Sequence, residues 1–174
     1  MIKKNKCYWI TGLPSAGKTT IAKKLFHFLK IKNRKVVLLD AEHLRKVFGF
    51  DKYDNKNRLK FGLAYARLCK YLINQDCDVI IGIVGLFNQL HEWNRKNIKG
   101  YVEIFLDVPI QELKKRDPKG FYKLSSQGKL KNFPGLDLKV DFPKNPNLHL
   151  LWSQGENVSK TFDKLIKGLK FKAQ

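Results

Sequence analysis

The sequence lacks most of the features that mark membrane, secreted or metal-binding proteins. Its 174 residues are 43% hydrophobic, yet no apolar run is long enough to cross a bilayer. Cys7, Cys69 and Cys77 are odd in number and without C-x-x-C spacing, which argues against a zinc site and for reduced, buried thiols. The basic residues 1–6 run into a short strand and do not resemble a secretory signal. We therefore expect one cytoplasmic globular domain over residues 1–174.

Acidic residues are also scarce, with 15 Asp and Glu against 35 Lys and Arg, a formal net charge of +20. Such a charge is compatible with nucleic acid or with small anionic substrates. Only six of the 35 basic residues are arginine, the side chain that makes most bidentate contacts with phosphates and bases. The 29 lysines are spread along the whole chain. This pattern favours compositional drift and a small-molecule partner, with no nucleic acid and no membrane.

What the chain does contain is a complete phosphate-binding loop. Residues 12–19 read GLPSAGKT and match G-x-x-x-x-G-K-[ST] at every fixed position. An apolar segment at 7–11 precedes the loop, and apolar residues at helical spacing follow it. Backbone N–H groups and the helix N-terminus can then surround phosphates, while Lys18 reaches the β- and γ-phosphates and Thr19 ligates Mg²⁺. The residues expected to bind the nucleoside triphosphate are Gly12, Leu13, Pro14, Ser15, Ala16, Gly17, Lys18, Thr19 and Thr20.

Apolar strands alternate with helices along the rest of the sequence. The pattern predicts strands at 7–11, 35–40, 79–84, 101–106 and 149–152, and helices at 18–31, 41–48, 55–75, 88–97, 110–116 and 158–169. The second strand is expected to be buried. Continuous apolar strands separated by helices indicate an α/β fold with a parallel sheet covered on both faces.

A segment rich in Lys, Gly and Pro, residues 117–146, is too long for a plain connector. Its lysines would suit a lid that closes over phosphates. A disordered basic excursion is the alternative, but the aromatic residues Phe121, Tyr122 and Phe133 favour packing.

Several segments resemble the adenylylsulfate (APS) kinase family. The loop and its next residue, GLPSAGKTT, resemble G-L-S-G-A-G-K-T-T. Four further matches follow in order: FLDVP at 105–109 with F-V-D-T-P, RDPKGFY at 116–122 with R-D-P-K-G-L-Y, KLKNFPGLD at 129–137 with E-I-K-G-F-T-G-I-D, and PKNP at 143–146 with P-E-N-P. The resemblance spans residues 7 to about 165. It implies a P-loop NTPase three-layer sandwich with a basic lid at about 116–146, and it allows a homodimer.

The resemblance also implies a reaction: transfer of the γ-phosphate of ATP to the ribose 3′-hydroxyl of a small modified nucleotide. The family motif D-G-D-x-x-R reads DAEHLR at 40–45. By that match Glu42 orients the hydroxyl and accepts its proton, and Arg45 binds the acceptor's anionic group. Asp40, close to the loop, would hold Mg²⁺ through water. The structural alternatives are a helix N-cap for Asp40 and a solvated first-turn acid for Glu42.

The resemblance assigns the remaining site residues. Lys18, Arg116 and Lys119 would neutralise charge in the transition state. Phe50 and Phe133 would stack on either side of the acceptor base, and Trp152 would lie near the ATP base. The residues expected to bind the acceptor are Glu42, Arg45, Phe50, Asn55, Arg58, Val84, Gly85, Lys131 and Phe133.

The chain departs from the family on the acceptor side. D-R-x-E-N-x-R-R reads DNKNRLKF at 54–61, so that Asn55 replaces an arginine and Arg58 an asparagine. S-F-I-S-P-Y-R reads GIVGLFN at 82–88. A kept reaction with a changed acceptor fits this pattern, and we favour cytidine diphosphoramidate, a precursor of phosphoramidate-modified capsular polysaccharide. APS itself is the alternative within the family, and a nucleic-acid-stimulated ATPase or a non-catalytic nucleotide-binding protein are the alternatives outside it.

Overall fold

The computed structural model describes residues 5–171. Residues 1–4, part of the basic segment expected not to be a secretory signal, and residues 172–174 lie outside the described residues. Strands and helices alternate along the described part of the chain. The strands are β1 (Cys7–Thr11), β2 (Val36–Asp40), β3 (Asp78–Gly82), β4 (Tyr101–Asp107) and β5 (Leu148–Leu151). The helices are α1 (Lys18–Ile31), α2 (Ala41–Val47), α3 (Asn55–Ile73), α4 (Asn88–Asn97), α5 (Ile110–Arg116), α6 (Phe121–Ser126) and α7 (Val158–Gly168).

The five strands form one parallel sheet in the order β2-β3-β1-β4-β5. Gly82 of β3 is level with Ile10 of β1 on one side and with Asp40 of β2 on the other. Because parallel strands end at the same edge, the phosphate loop after β1 and the carboxylate at the end of β2 lie at one edge of the sheet. The predicted α/β fold with a parallel sheet is confirmed.

Two predicted features differ from the structure. Residues 35–40 are not a buried strand, because β2 is an edge strand of which only Val36 is buried. The segment 117–146 contains the short helix α6, which begins after Gly120 in a left-handed conformation (φ +67°). Six residues are too few to give a periodic pattern that could be read from the sequence.

The core is divided by the sheet, since successive side chains of β1 point to opposite faces. Tyr8 and Ile10 pack with α1, α7 and the lid residues Tyr122 and Phe133. Trp9, on the other face, packs with α3 and α4. The lid segment therefore supplies part of the core instead of forming a solvated excursion.

A buried carboxylate on β4 joins α4 to the segment that follows the lid. Glu103 is fully buried, and its carboxylate lies 2.6 Å from Nδ1 of His91 and accepts hydrogen bonds from Tyr101 Oη at 2.9 Å and from Arg95. The Glu103 N–H donates to Oδ1 of Asn147 at 2.8 Å. A buried charge needs such partners, and the Glu103 carboxylate has three of them, His91, Arg95 and Tyr101.

Between residues 5 and 171, no helix is long and apolar enough to cross a membrane.

Candidate active site

The phosphate loop has the backbone geometry that its glycines permit. Gly12 lies at φ +148°, and a Cβ there would come within 2.6 Å of the Leu106 carbonyl oxygen. Gly17, at φ +93°, precedes the first turn of α1. Ser15 also has a positive φ, +63°, which is rare for a residue with a side chain. Successive N–H groups in such a turn, together with the helix N-terminus, form an anion-binding concavity. Thr19 and Thr20, in the first turn of α1, are exposed.

Lys18 is held inside this loop. Its Nζ donates a hydrogen bond to the Leu13 carbonyl oxygen at 2.7 Å. Burial lowers the pKa of Lys18 to about 7, against the opposing attraction of Asp40. Phosphate oxygens would replace the Leu13 carbonyl as partners and favour the charged ammonium form.

Thr19 and Asp40 bring two oxygen ligands together next to the loop. Thr19 Oγ1 donates to Asp40 Oδ2 at 3.2 Å, while Asp40 Oδ1 accepts the N–H of His43 at 2.9 Å and caps α2. Asp40 is therefore both an N-cap and a neighbour of the loop hydroxyl. A hydroxyl and a carboxylate suit Mg²⁺, which takes few protein ligands when phosphates supply the others. Residues 5–171 contain no cluster of three or more His, Cys, Asp or Glu that could hold a metal ion.

Glu42 and the lid residue Lys119 form an ion pair across the mouth of the site. Glu42 lies in the first turn of α2 and is largely exposed, as is Lys119. The contact joins residues 77 apart in sequence, and it places the carboxylate expected to bind the acceptor hydroxyl directly against a lid cation.

Arg116 ends α5, where its Nε donates to Glu112 Oε1 at 3.1 Å. Arg116 also lines a small cavity together with Ala16 of the loop, Trp152 and Thr161. Trp152 Nε1 is buried and has no hydrogen-bond partner within the described residues. Trp152 thus leaves an unsatisfied buried donor among the residues that line this cavity, close to the phosphate loop.

On the acceptor side, Arg45 and Arg58 flank the ring of Tyr53. The guanidinium carbon of Arg45 lies 4.3 Å from the ring centroid and that of Arg58 5.3 Å from it. Arg45 Nη1 donates to the carbonyls of Phe50 at 3.1 Å and Lys52 at 2.8 Å. The prediction that Arg45 binds an anionic group of the acceptor is untested by these contacts, which show that it orders the 50–53 loop.

Arg58 connects this loop to the lid. Its Nε donates to the Tyr53 carbonyl at 2.5 Å and its Nη2 to the Asn132 carbonyl at 3.0 Å. Burial, and then the neighbouring charge of Arg45, lower the pKa of Arg58. The residue that replaces the family's asparagine is thus a bridge between the 50–53 loop and the lid.

The two phenylalanines expected to sandwich the acceptor base are each engaged with another aromatic ring. Phe50 stacks on Phe61 with centroids 3.9 Å apart and planes 5° apart. Phe133 is only 4% exposed and meets Tyr122 edge to face at 4.8 Å. The two rings pack on opposite faces of the sheet core, so their role around a base stays a prediction.

The other predicted acceptor residues lie in α3, in the lid and directly after β3. Asn55, in the first turn of α3, and Lys131, next to Asn132, are exposed. Val84 accepts a hydrogen bond from Thr11 Oγ1 at 2.5 Å, which fixes it to the end of β1. Gly85 follows in a left-handed conformation at φ +40°.

Sequence analysis missed two contacts between the lid and the loop. Tyr122 Oη donates to the Pro14 carbonyl at 3.0 Å, although the sequence had indicated only that Tyr122 packs. A Cβ on Gly135 would lie 2.7 Å from Leu13 Cδ2, so this part of the lid rests on the loop. The sequence offers one signal for the Tyr122 contact: a tyrosine in a segment that is expected to pack needs a hydrogen-bond partner for its hydroxyl.

Comparisons with known proteins agree with the geometry. The adenylylsulphate kinase family model matches residues 4–151. A cytidine diphosphoramidate kinase of Campylobacter jejuni is 34% identical over 168 residues, covering 95% of this chain and 98% of the relative. An adenylyl-sulfate kinase of Aeromonas salmonicida is 31% identical over 169 residues, covering 93% and 84%. The solved structure of the Mycobacterium tuberculosis APS kinase in complex with AMPPNP and APS superposes with a TM-score of 0.87 at 25% identity, covering 97% and 99%.

Proposed function

The chain belongs to the adenylylsulphate kinase family and is an ATP-dependent nucleotide kinase, and from this premise we propose that it phosphorylates the ribose 3′-hydroxyl of cytidine diphosphoramidate. The observation that carries the choice of acceptor is Arg58, which replaces the family's asparagine and bridges Tyr53 to Asn132. The relative named for this acceptor also matches the chain over nearly its whole length.

The donor side of the reaction uses the loop. The N–H groups of residues 12–19 and the N-terminus of α1 bind the ATP phosphates, and Lys18 exchanges the Leu13 carbonyl for phosphate oxygens. Thr19 and Asp40 would hold Mg²⁺, the latter through water. When bound, the ion would neutralise negative charge on the phosphates.

The acceptor hydroxyl is oriented by Glu42, which accepts its proton. Lys119 pairs with this carboxylate. Lys119, next to Glu42, and Arg116, which lines a cavity with Ala16 of the loop, would neutralise the transferring phosphoryl group. Phosphoryl transfer needs mainly such positioning and charge neutralisation.

Base choice follows from polar groups at the base edge, because stacking on Phe50 and Phe133 is indifferent to base identity. An asparagine amide both donates and accepts, and it can pair with the N6 and N7 atoms of adenine. A guanidinium only donates. Arg58 therefore suits the adjacent O2 and N3 acceptors of cytosine better than the amino group of adenine. Asn55, Val84, Gly85 and Lys131 complete the acceptor site, and Arg45 contributes charge toward the anionic tail.

APS is the second candidate acceptor. The family model is that of adenylylsulphate kinases, and the superposed tuberculosis structure is described as a complex with AMPPNP and APS. The loop and lid motifs are equally compatible with it. A homodimer and a role in capsule biosynthesis stay predictions from the resemblance, and a cytoplasmic location stays a prediction from the cysteines and the N-terminal residues.

The test is ADP release by the purified protein with Mg·ATP and one of four additions: cytidine diphosphoramidate, APS, CDP or none. We expect the highest kcat/KM with cytidine diphosphoramidate, and phosphorus NMR of the product should place the new phosphate on the 3′-oxygen. Faster turnover of APS would overturn the acceptor assignment and leave the kinase assignment intact.

A further inference from the structure

The lid contacts the phosphate loop through one buried tyrosine. Tyr122 is 2% exposed, and its hydroxyl donates to the Pro14 carbonyl, 108 residues away in sequence. Its ring meets Phe133 edge to face. Tyr122 thus touches both the loop that binds ATP and a residue assigned to the acceptor.

The hydrogen bond to Pro14 also fixes the next N–H group. The Pro14 carbonyl and the Ser15 N–H belong to one peptide unit, which is planar and trans, so they point in opposite directions. A carbonyl held toward the lid by Tyr122 therefore directs the Ser15 N–H away from Tyr122.

The backbone of Ser15 needs such support. At φ +63° it lies in the left-handed region, which is unfavourable for a residue with a side chain. Strained conformations persist where the surrounding structure holds them. The second contact of the lid, Gly135 against Leu13, supports the adjacent residue of the loop, whose carbonyl accepts Lys18.

We propose that Tyr122 is a positioning residue for the phosphate loop, so that ATP affinity depends on the docked lid. Its hydroxyl holds the Pro14–Ser15 peptide with the Ser15 N–H available to a phosphate oxygen. Through Phe133 the same residue transmits occupancy of the acceptor site to the loop, and this second step alone rests on the proposed function.

The test compares Tyr122→Phe with Tyr101→Phe, by calorimetric titration of each folded protein with Mg·AMPPNP and no acceptor. Each variant loses one buried hydroxyl, but that of Tyr101 binds Glu103 and not the loop. We expect Tyr122→Phe to weaken AMPPNP binding about three- to tenfold, the equivalent of one hydrogen bond, and Tyr101→Phe to leave it unchanged. A purely structural role would lower the melting temperatures of both variants and the affinity of neither.

A second pair of variants keeps the proposal falsifiable if Tyr122→Phe does not fold. Gly135→Ala and Gly128→Ala both place a methyl group on a left-handed glycine of the lid, at φ +84° and +70°. Only the methyl group at position 135 meets Leu13, since nothing lies within 4 Å of the other. We expect weaker AMPPNP binding for Gly135→Ala alone. Unchanged affinity in Tyr122→Phe, or equal affinities in the glycine pair, would overturn the proposal. Because AMPPNP binding needs no acceptor, either result is independent of the acceptor assignment.

Discussion

Thr19 Oγ1 lies 3.2 Å from Oδ2 of Asp40, and this hydrogen bond joins the phosphate loop to the carboxyl end of β2. The other oxygen of the same carboxylate caps α2 through the His43 N–H. One side chain thus begins a helix and faces the loop hydroxyl, so its two roles can be separated by a substitution that keeps only the cap.

Asp40→Asn is that substitution. Asparagine is as good an N-cap as aspartate, so we expect little change in melting temperature. It lacks the charge that favours Mg²⁺, and we expect the Mg²⁺ concentration for half-maximal ADP release to rise about tenfold or more. Asp54→Asn changes the corresponding cap of α3 and should leave this concentration unaltered. An equal Mg²⁺ dependence in all three proteins would refute the metal-binding role of Asp40.

Lys18 predicts a pH dependence of nucleotide binding. Burial lowers its pKa to about 7 in the free protein, and phosphate oxygens raise that pKa in the complex. The affinity for AMPPNP should therefore be at its maximum below pH 7, and it should fall by up to about tenfold per pH unit as the pH rises above 7. At pH 8, binding should take up a proton, which calorimetry in buffers of different ionisation enthalpy detects. Lys18→Met should bind weakly with no such uptake, and proton uptake that persists in this variant would assign it to another group.

The acceptor side predicts a change of specificity on restoring the family arrangement. In the double variant Asn55→Arg, Arg58→Asn, the bridge from Tyr53 to Asn132 is lost and an asparagine amide returns. We expect the ratio of kcat/KM for cytidine diphosphoramidate to that for APS to fall about tenfold or more, as it does when a buried polar edge is mismatched. Lys56→Arg, an exposed change in the same turn, serves as the control. A ratio that does not move would place base recognition outside these two residues.

Glu103 predicts a dependence of stability on pH. Desolvation raises its pKa, but the hydrogen bonds and charges of His91, Tyr101 and Arg95 outweigh this and lower it below the usual value of 4.5. Its contribution to the free energy of unfolding is then present above pH 4.5 and lost as the pH falls through the lowered pKa. Glu103→Gln should cost about 3–5 kcal/mol at pH 7, because it leaves buried partners unpaired, and less near pH 3. Urea unfolding measures both values.

The control for Glu103→Gln is Glu92→Gln, on the exposed side of α4. It should change the free energy of unfolding by less than about 0.5 kcal/mol. Equal effects of the two substitutions would mean that the buried network contributes nothing specific.

Several elements could be predicted from the hydrophobic pattern of the sequence. The bounds of α1, α4 and α5 agree with the prediction to the residue. The burial of β2 could not be predicted, because VVLL is compatible with a central or an edge strand and the strand order is a property of the whole sheet. The helix α6 was missed because its six residues lie between glycines and lysines.

The candidate site, like the fold, could be predicted from the sequence only in part. Lys18, Thr19 and Asp40 could be identified because motif spacing and a strand end place them together. The contacts Tyr122–Pro14 and Arg58–Asn132 could not, since each joins distant segments and each acceptor is a main-chain carbonyl. A main-chain acceptor leaves no residue-type signal in the sequence.

Those carbonyl acceptors have an evolutionary consequence. Lys18, Arg45, Arg58 and Tyr122 all hold their neighbours by main-chain oxygens, at Leu13, Phe50, Lys52, Tyr53, Asn132 and Pro14. Mutations that alter the side chains at these six positions leave the oxygens in place. Selection can therefore explore new side chains on these loops while the hydrogen bonds that order the loops are kept.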